Sequence, residues 1–178
     1  PFQYSGSHSL TRILEIYVLS LSLFCEMIRA SERPDAVVVA MPAPITCLVT
    51  ALYCRIKRIP FFVDARDMWP DILFDEASGI KKLLVWPVYF VMLLELKLAC
   101  RLAHGLIGIT PPFRDFLLNH ARRDAGENDG FFPLGFQKKH LQHDAALETK
   151  FWQEVGVTFE PSEKLVYFAG TMNRTVLV

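Results

Sequence analysis

Apolar residues in this chain fall into short continuous blocks and into longer stretches with helical spacing. Continuous blocks of about five residues are typical of parallel strands that are buried on both faces. Such blocks lie at 36–40, 61–65, 106–110 and 164–169, and the segment 131–136 predicts a short last strand followed by a turn. The pattern therefore predicts a sheet whose strands are separated by long connections.

The longer stretches predict helices at 9–30, 45–58, 80–103 and 111–120. Thr11 is placed to cap the first helix, and Pro87 should lie near the start of the third helix or kink it. Alternation of strands with helices is the signature of an α/β protein. We expect a Rossmann-like parallel sheet with helices on both faces.

The most informative segment is Phe61 to Asp71, an apolar strand that runs directly into charge and an indole. Ligands of open parallel sheets bind beyond the carboxyl ends of the strands. Arg66 and Asp67 have the donors and acceptors that hold phosphate or sugar hydroxyls, and Trp69 could wall a sugar pocket. The alternatives are a structural Arg66–Asp67 pair and a helix start at Trp69-Pro70-Asp71.

Other strand ends carry weaker signals. Pro42 lies in a turn after the first strand, and Thr110 is placed to cap the next helix. Gly170 to Arg174 follow the last apolar block as a phosphate-binding loop would, although the chain has neither a GxGxxG nor a GxxxxGK motif. The five histidines are scattered and predict neither a catalytic triad nor a metal site.

Charge and cysteine content narrow the protein class. Nineteen basic residues balance nineteen acidic ones, which argues against a nucleic-acid partner. The four cysteines lie in apolar runs without metal-ligand spacing, so we expect reduced core thiols and a cytoplasmic setting. The first residue is Pro1, no signal peptide is visible, and a fresh strand signal precedes the last residues, so we expect a fragment of a longer protein.

From about residue 34 onward, the chain resembles family 4 of the glycosyltransferases. The similarity lies in the order and spacing of PDAVVVAMPAP, FFVDARDMWPD, AHGLIGIT, FFPLGF and LVYFAGTM. The FFVDARDMWPD form is similar to the branch that contains bacterial capsule and lipopolysaccharide transferases. Members of the family have the GT-B fold, in which two Rossmann-like domains face each other.

The resemblance implies a domain plan and a set of site residues. Residues 1–136 would be a partial acceptor-side domain, 137–163 a connector, and 164–178 the start of the nucleotide-sugar domain. Acceptor or cleft residues would be Pro42, Arg66, Asp67, Trp69 and Thr110, and donor-phosphate residues would be Gly170, Thr171 and Arg174. Arg66 stands where many relatives have a histidine, and Leu134 stands where relatives usually have asparagine.

The implied activity is sugar transfer from a nucleotide-sugar donor to a lipid-linked or oligosaccharide acceptor. It would proceed with retention of anomeric configuration and with no cofactor or metal, and this chain alone would be inactive. The apolar helices at 11–28 and 83–100 would suit docking on the inner face of the cytoplasmic membrane. Alternatives are a non-catalytic α/β binding or regulatory module and a nucleotide-sugar epimerase of the same architecture. An E-x7-E segment further along the parent sequence would favour the transferase.

Overall fold

The computed structural model describes residues 10–41, 43–75, 77–135, 150 and 152–156. The chain divides into two compact units, Pro1–Gly135 and Phe136–Val178. Every element described below belongs to the first unit. The strand expected at 164–169 and the loop that follows it lie outside the described residues.

Within the described residues, four parallel strands form one sheet, and their order in space follows their order in the chain. Val37 lies opposite Phe61, Val63 opposite Leu106, and Ile107 opposite Gly130. The strands are β1 (Val37–Met41), β2 (Phe61–Ala65), β3 (Gly105–Gly108) and β4 (Gly130–Phe131). The α/β class and the parallel, Rossmann-like sheet are therefore confirmed.

The helices begin and end close to their predicted limits. They are α1 (Leu10–Arg29), α2 (Pro44–Lys57), α3 (Asp71–Asp75), α4 (Ile80–Leu102) and α5 (Pro111–Ala121). Thr11 lies inside α1, so its prediction as the cap was wrong. Pro87 lies within α4 at an exposed position, and the helix continues on both sides of it.

The core lies between one face of the sheet and the helices α2, α4 and α5. Alternate strand residues point to this face, where Val37 and Val39 are partly buried and the others are fully buried. They pack against helix residues in a single apolar cluster (Met41, Phe61, Val63, Ala65, Leu106, Leu96, Ala99, Cys100 and Leu117 among them). Because the strand order follows the chain order, right-handed crossovers place these connecting helices on the same face. Within the described residues, α2, α4 and α5 therefore all pack on this one face of the sheet.

The other face of the sheet carries the intervening strand residues, and we call it the second face. Val38 is 61% exposed there, while Phe62, Asp64 and Ile107 are half-buried. Ala40 and Ile107 lie on either side of Asp64 in the strand register. An acidic side chain in a central strand is thus accommodated where the described structure leaves the sheet partly open.

The loop that leads into β4 is organised by the carboxylate of Asp129. Its Oδ1 accepts hydrogen bonds from Leu106 N (2.7 Å) and Arg123 Nη2 (2.7 Å), and its Oδ2 accepts from Gly126 N (2.7 Å) and Arg123 Nη1. Burial alone would raise the pKa of Asp129, but the bonds from Arg123, Gly126 and Leu106 outweigh it and lower the pKa. The carboxylate thus ties the loop to the edge of β3.

Candidate functional site

The candidate site lies where β2 and β3 end, at the carboxyl edge of the sheet. Ile109 N donates a hydrogen bond to the carbonyl oxygen of Ala65 at 3.3 Å, so the segments that follow β2 and β3 leave the sheet side by side. Residues 66–69 follow directly from β2 and are called the β2 exit loop here. Thr110 follows Ile109, so the structure places it beside the start of this loop.

Arg66 forms its ion pair with Asp64 and not with Asp67. Its Nε donates to Asp64 Oδ2 at 2.9 Å, and the arginine side chain is 58% exposed while that of Asp64 is 15% exposed. Asp64 lies on the second face and Arg66 directly follows the strand, so the pair lies at the edge of the sheet. Because the bond uses only Nε, the two terminal amino groups of Arg66 can donate to a ligand.

Asp64 is a site residue that the sequence interpretation missed. The signal was present, because an acidic residue in the otherwise apolar block FFVDA is unusual for a strand buried on both faces. The exposed Asp67 completes the charged group at this edge. The carboxylate of Asp64 is thereby held against the guanidinium of Arg66, and the carboxylate of Asp67 lies on the residue after Arg66.

The β2 exit loop leads into a helix, which agrees with the helix start that the sequence offered at Trp69-Pro70-Asp71. The Trp69–Pro70 peptide is cis, Pro70 is fully buried, and α3 begins at the next residue. Ile72 N donates to the carbonyl oxygen of Met68 at 3.2 Å. Trp69 is half-buried. The buried proline therefore fixes the chain direction next to an indole that keeps part of its surface accessible.

A polar cluster holds α3 against α4 and α5. Tyr89 Oη donates to Asp71 Oδ1 at 3.2 Å, and His120 Nε2 lies 3.7 Å from Asp71 Oδ2. The rings of Phe74 and Tyr89 stack with centroids 4.4 Å apart. Burial, and then the negative charge of Asp71, raise the pKa of Tyr89. These contacts anchor the end of the β2 exit loop to the body of the unit.

Thr110 precedes α5, but its hydroxyl does not cap the helix, contrary to the sequence expectation. Pro111 and Pro112 have no N–H groups, and the amides of Phe113 and Arg114 already bond to the Thr110 carbonyl oxygen at 3.1 and 3.3 Å. These residues consequently offer no spare backbone donor to an anion. The exposed hydroxyl of Thr110 is the group that this turn presents.

Arg114 is a second basic residue at this edge that the sequence interpretation did not select. The first turn of α5 sits so close to β3 that a Cβ on Gly108 would lie 2.4 Å from Arg114 N. The guanidinium of Arg114 bonds to Asp115 at 2.7 Å and lies 5.9 Å from the centroid of the Phe131 ring. Its Asp115 partner leaves it less available to a ligand than Arg66.

The remaining predicted residues, Pro42, Gly170, Thr171 and Arg174, lie outside the described residues. Within the part of the chain that the structure describes, no group of three or more His, Cys, Asp or Glu side chains could hold a metal ion.

No family model, curated protein or solved structure matches this chain.

Proposed function

We propose that this chain supplies the acceptor-side wall of a glycosyltransferase. The enzyme would transfer a sugar from a nucleotide-sugar donor to a lipid-linked or oligosaccharide acceptor. The observation that supports this most directly is the Arg66–Asp64 pair at the carboxyl edge of a parallel sheet, with Asp67, Trp69 and Thr110 beside it. The resemblance of the surrounding motifs to family 4 of the glycosyltransferases supports the same assignment.

The chemistry of this edge suits a saccharide ligand. Carboxylate and hydroxyl oxygens of Asp67 and Thr110 accept hydrogen bonds from sugar hydroxyls, and the free amino groups of Arg66 donate to hydroxyl or phosphate oxygens. The partly exposed ring of Trp69 offers an apolar surface for the carbon face of a sugar. These groups bind and orient an acceptor; none of them is assigned a proton-transfer step.

Asp64 would act by holding Arg66 in position. An ion pair with a half-exposed arginine adds at most about 1 kcal/mol to folding, so its contribution to stability is small. A guanidinium fixed at Nε presents its remaining donors in one direction, which lowers the entropy lost when a ligand binds. Replacing Arg66 with lysine would therefore lose the planar fork even though the charge is kept.

The test is transfer of radiolabelled sugar by the complete gene product. A panel of nucleotide-sugar donors would be combined with lipid-linked and free oligosaccharide acceptors, with and without EDTA. For the active pair, Arg66→Ala should lower kcat/KM by about 10- to 100-fold, because charged hydrogen bonds to the acceptor are lost. We expect EDTA to have no effect.

The matched control is Arg55→Ala. Arg55 is an exposed arginine in the last turn of α2, at the opposite edge of the sheet, and its replacement should leave kcat/KM unchanged. Equal losses in the two variants would remove the assigned role of Arg66. Saccharide binding without transfer by any donor would instead favour the non-catalytic module.

A further inference from the structure

The outer face of α4 is apolar over most of its length. The helix is long and apolar enough by composition to cross a membrane, yet only 28% of its most apolar window is buried. Every exposed residue from Leu83 to Leu98 is apolar, and these residues recur at helical spacing on one face (Leu83, Leu84, Trp86, Pro87, Phe90, Val91, Leu94 and Leu98). We call this set the α4 outer face.

The burial of the opposite side of α4 argues against α4 as a membrane-spanning helix. Leu96, Ala99 and Cys100 are fully buried in the core with α2 and α5. A helix surrounded by lipid would have to withdraw these residues from the protein. The α4 outer face can therefore contact a partner from one side only.

The exposed charges of α4 are positive, and its one acidic side chain is buried. Lys81 and Arg101 are exposed near the two ends of the α4 outer face. The one acidic residue of the helix, Glu95, is buried and accepts a hydrogen bond from Tyr17 at 2.6 Å. The exposed surface of α4 thus combines an apolar centre with basic ends and presents no carboxylate.

We propose that the α4 outer face lies in the headgroup region of an anionic phospholipid bilayer, parallel to the membrane plane. Apolar helix faces with flanking lysine and arginine bind such surfaces through both burial and attraction to anionic lipids. Trp86 and Phe90 stack on this face with ring centroids 5.4 Å apart. Tryptophan is enriched at membrane–water interfaces, so this aromatic pair suits the proposed location. This inference does not depend on the reaction proposed above.

Charge also argues against a second copy as the occupant. In a two-fold, antiparallel pairing of α4 with itself, Lys81 of one copy would lie near Arg101 of the other. The helix exposes no acidic residue that could pair with either cation. Like charges placed opposite each other disfavour association, whereas an anionic bilayer neutralises both ends.

The test is flotation of the complete gene product with vesicles of phosphatidylcholine, with and without phosphatidylglycerol. We expect binding to the anionic vesicles and little binding to the neutral ones. Leu83→Ser with Phe90→Ser should weaken binding at least tenfold, an order-of-magnitude expectation from the apolar area removed from the interface. Replacing Lys81 and Arg101 with glutamine should weaken binding by about fivefold for each cation.

A matched control removes the same two residue types elsewhere. Phe132 and Leu134 are exposed near β4, and replacing both with serine should leave vesicle binding unchanged. Quenching of tryptophan fluorescence by brominated lipid should fall when Trp86 is replaced with serine. Absence of binding to anionic vesicles, or equal losses in the two double variants, would overturn the proposal. So would a dimer in sedimentation that the Leu83→Ser/Phe90→Ser variant dissociates.

Discussion

Tyr17 and Glu95 join α1 to α4 through a hydrogen bond of 2.6 Å between the phenolic oxygen and Oε1 of the carboxylate. The second carboxylate oxygen, Oε2, is buried and has no hydrogen-bond partner in the described structure. Burial is the main cause that raises the pKa of Glu95, and the bond from Tyr17 opposes it. Burial, and then Glu95, raise the pKa of Tyr17.

Glu95→Gln is expected to make the free energy of unfolding less dependent on pH. A raised pKa means that the folded state holds the proton more tightly than the unfolded state. The stabilisation is therefore complete below about pH 4 and is lost as pH rises through the folded pKa. Above that range, the glutamine variant should be more stable than the unmodified protein by roughly 1 kcal/mol, because it buries no charge. Urea unfolding of both proteins across this pH range measures the difference.

Tyr17→Phe is the companion variant, since it removes the donor and leaves the carboxylate in place. It should lower the free energy of unfolding by about 1–3 kcal/mol, and by more at higher pH. A Glu95→Gln variant whose stability stays parallel to that of the unmodified protein at every pH would show that Glu95 does not titrate in this range.

Asp129→Asn should destabilise the unit by about 1–3 kcal/mol at neutral pH, because the charged hydrogen bonds between Asp129 and Arg123 are lost. The aspartate side chain is 1% exposed and its folded pKa is lowered. Its stabilisation is present above about pH 4 and is lost as pH falls through the folded pKa. The difference between the two proteins should therefore shrink in acid, which chemical unfolding at a series of pH values would follow.

The control for Asp129 is Asp115→Asn. Asp115 is half-exposed and pairs with Arg114 at the surface, so its loss should change stability by less than about 0.5 kcal/mol. Comparable effects of the two substitutions would contradict the central role given to Asp129.

Gly108→Ala should prevent α5 from seating against β3. The added Cβ would meet backbone atoms of Arg114 and Phe113, which cannot move without shifting the helix. We expect a loss of about 3 kcal/mol or more in the free energy of unfolding. Gly135→Ala has nothing within 4 Å of the added Cβ and should be nearly neutral, so thermal unfolding of the two variants gives a direct comparison.

The cysteines should separate into one reactive thiol and three protected ones. Cys25 is exposed, whereas Cys47, Cys54 and Cys100 are buried and free. Burial raises the pKa of Cys47 and of Cys100 to about 12, so neither forms appreciable thiolate under mild conditions. A colorimetric thiol reagent at mildly alkaline pH should label one thiol rapidly and the other three only in denaturant. Rapid labelling of two or more would show that the core is open.

The sequence alone determined the elements and the edge at which the candidate site lies. Continuous apolar blocks and helical spacing depend on near neighbours in the chain, and they located β1, β2, β3 and the long helices. The carboxyl end of β2 follows from the same pattern, so Arg66, Asp67 and Trp69 could be selected from the sequence. Pro70 and Asp71 likewise marked the start of α3.

The tertiary structure decided which side chains meet and which surfaces remain exposed. Arg66 pairs with Asp64 at the end of β2, whereas the sequence interpretation considered only Asp67 as its partner. Glu95 pairs with Tyr17 across 78 positions, and no local pattern encodes a contact at that separation. The α4 outer face exists because the packing of α2 and α5 against one side of α4 leaves the other side exposed. These side-chain pairs and this exposed face depend on strand register and helix packing, which only the folded chain defines.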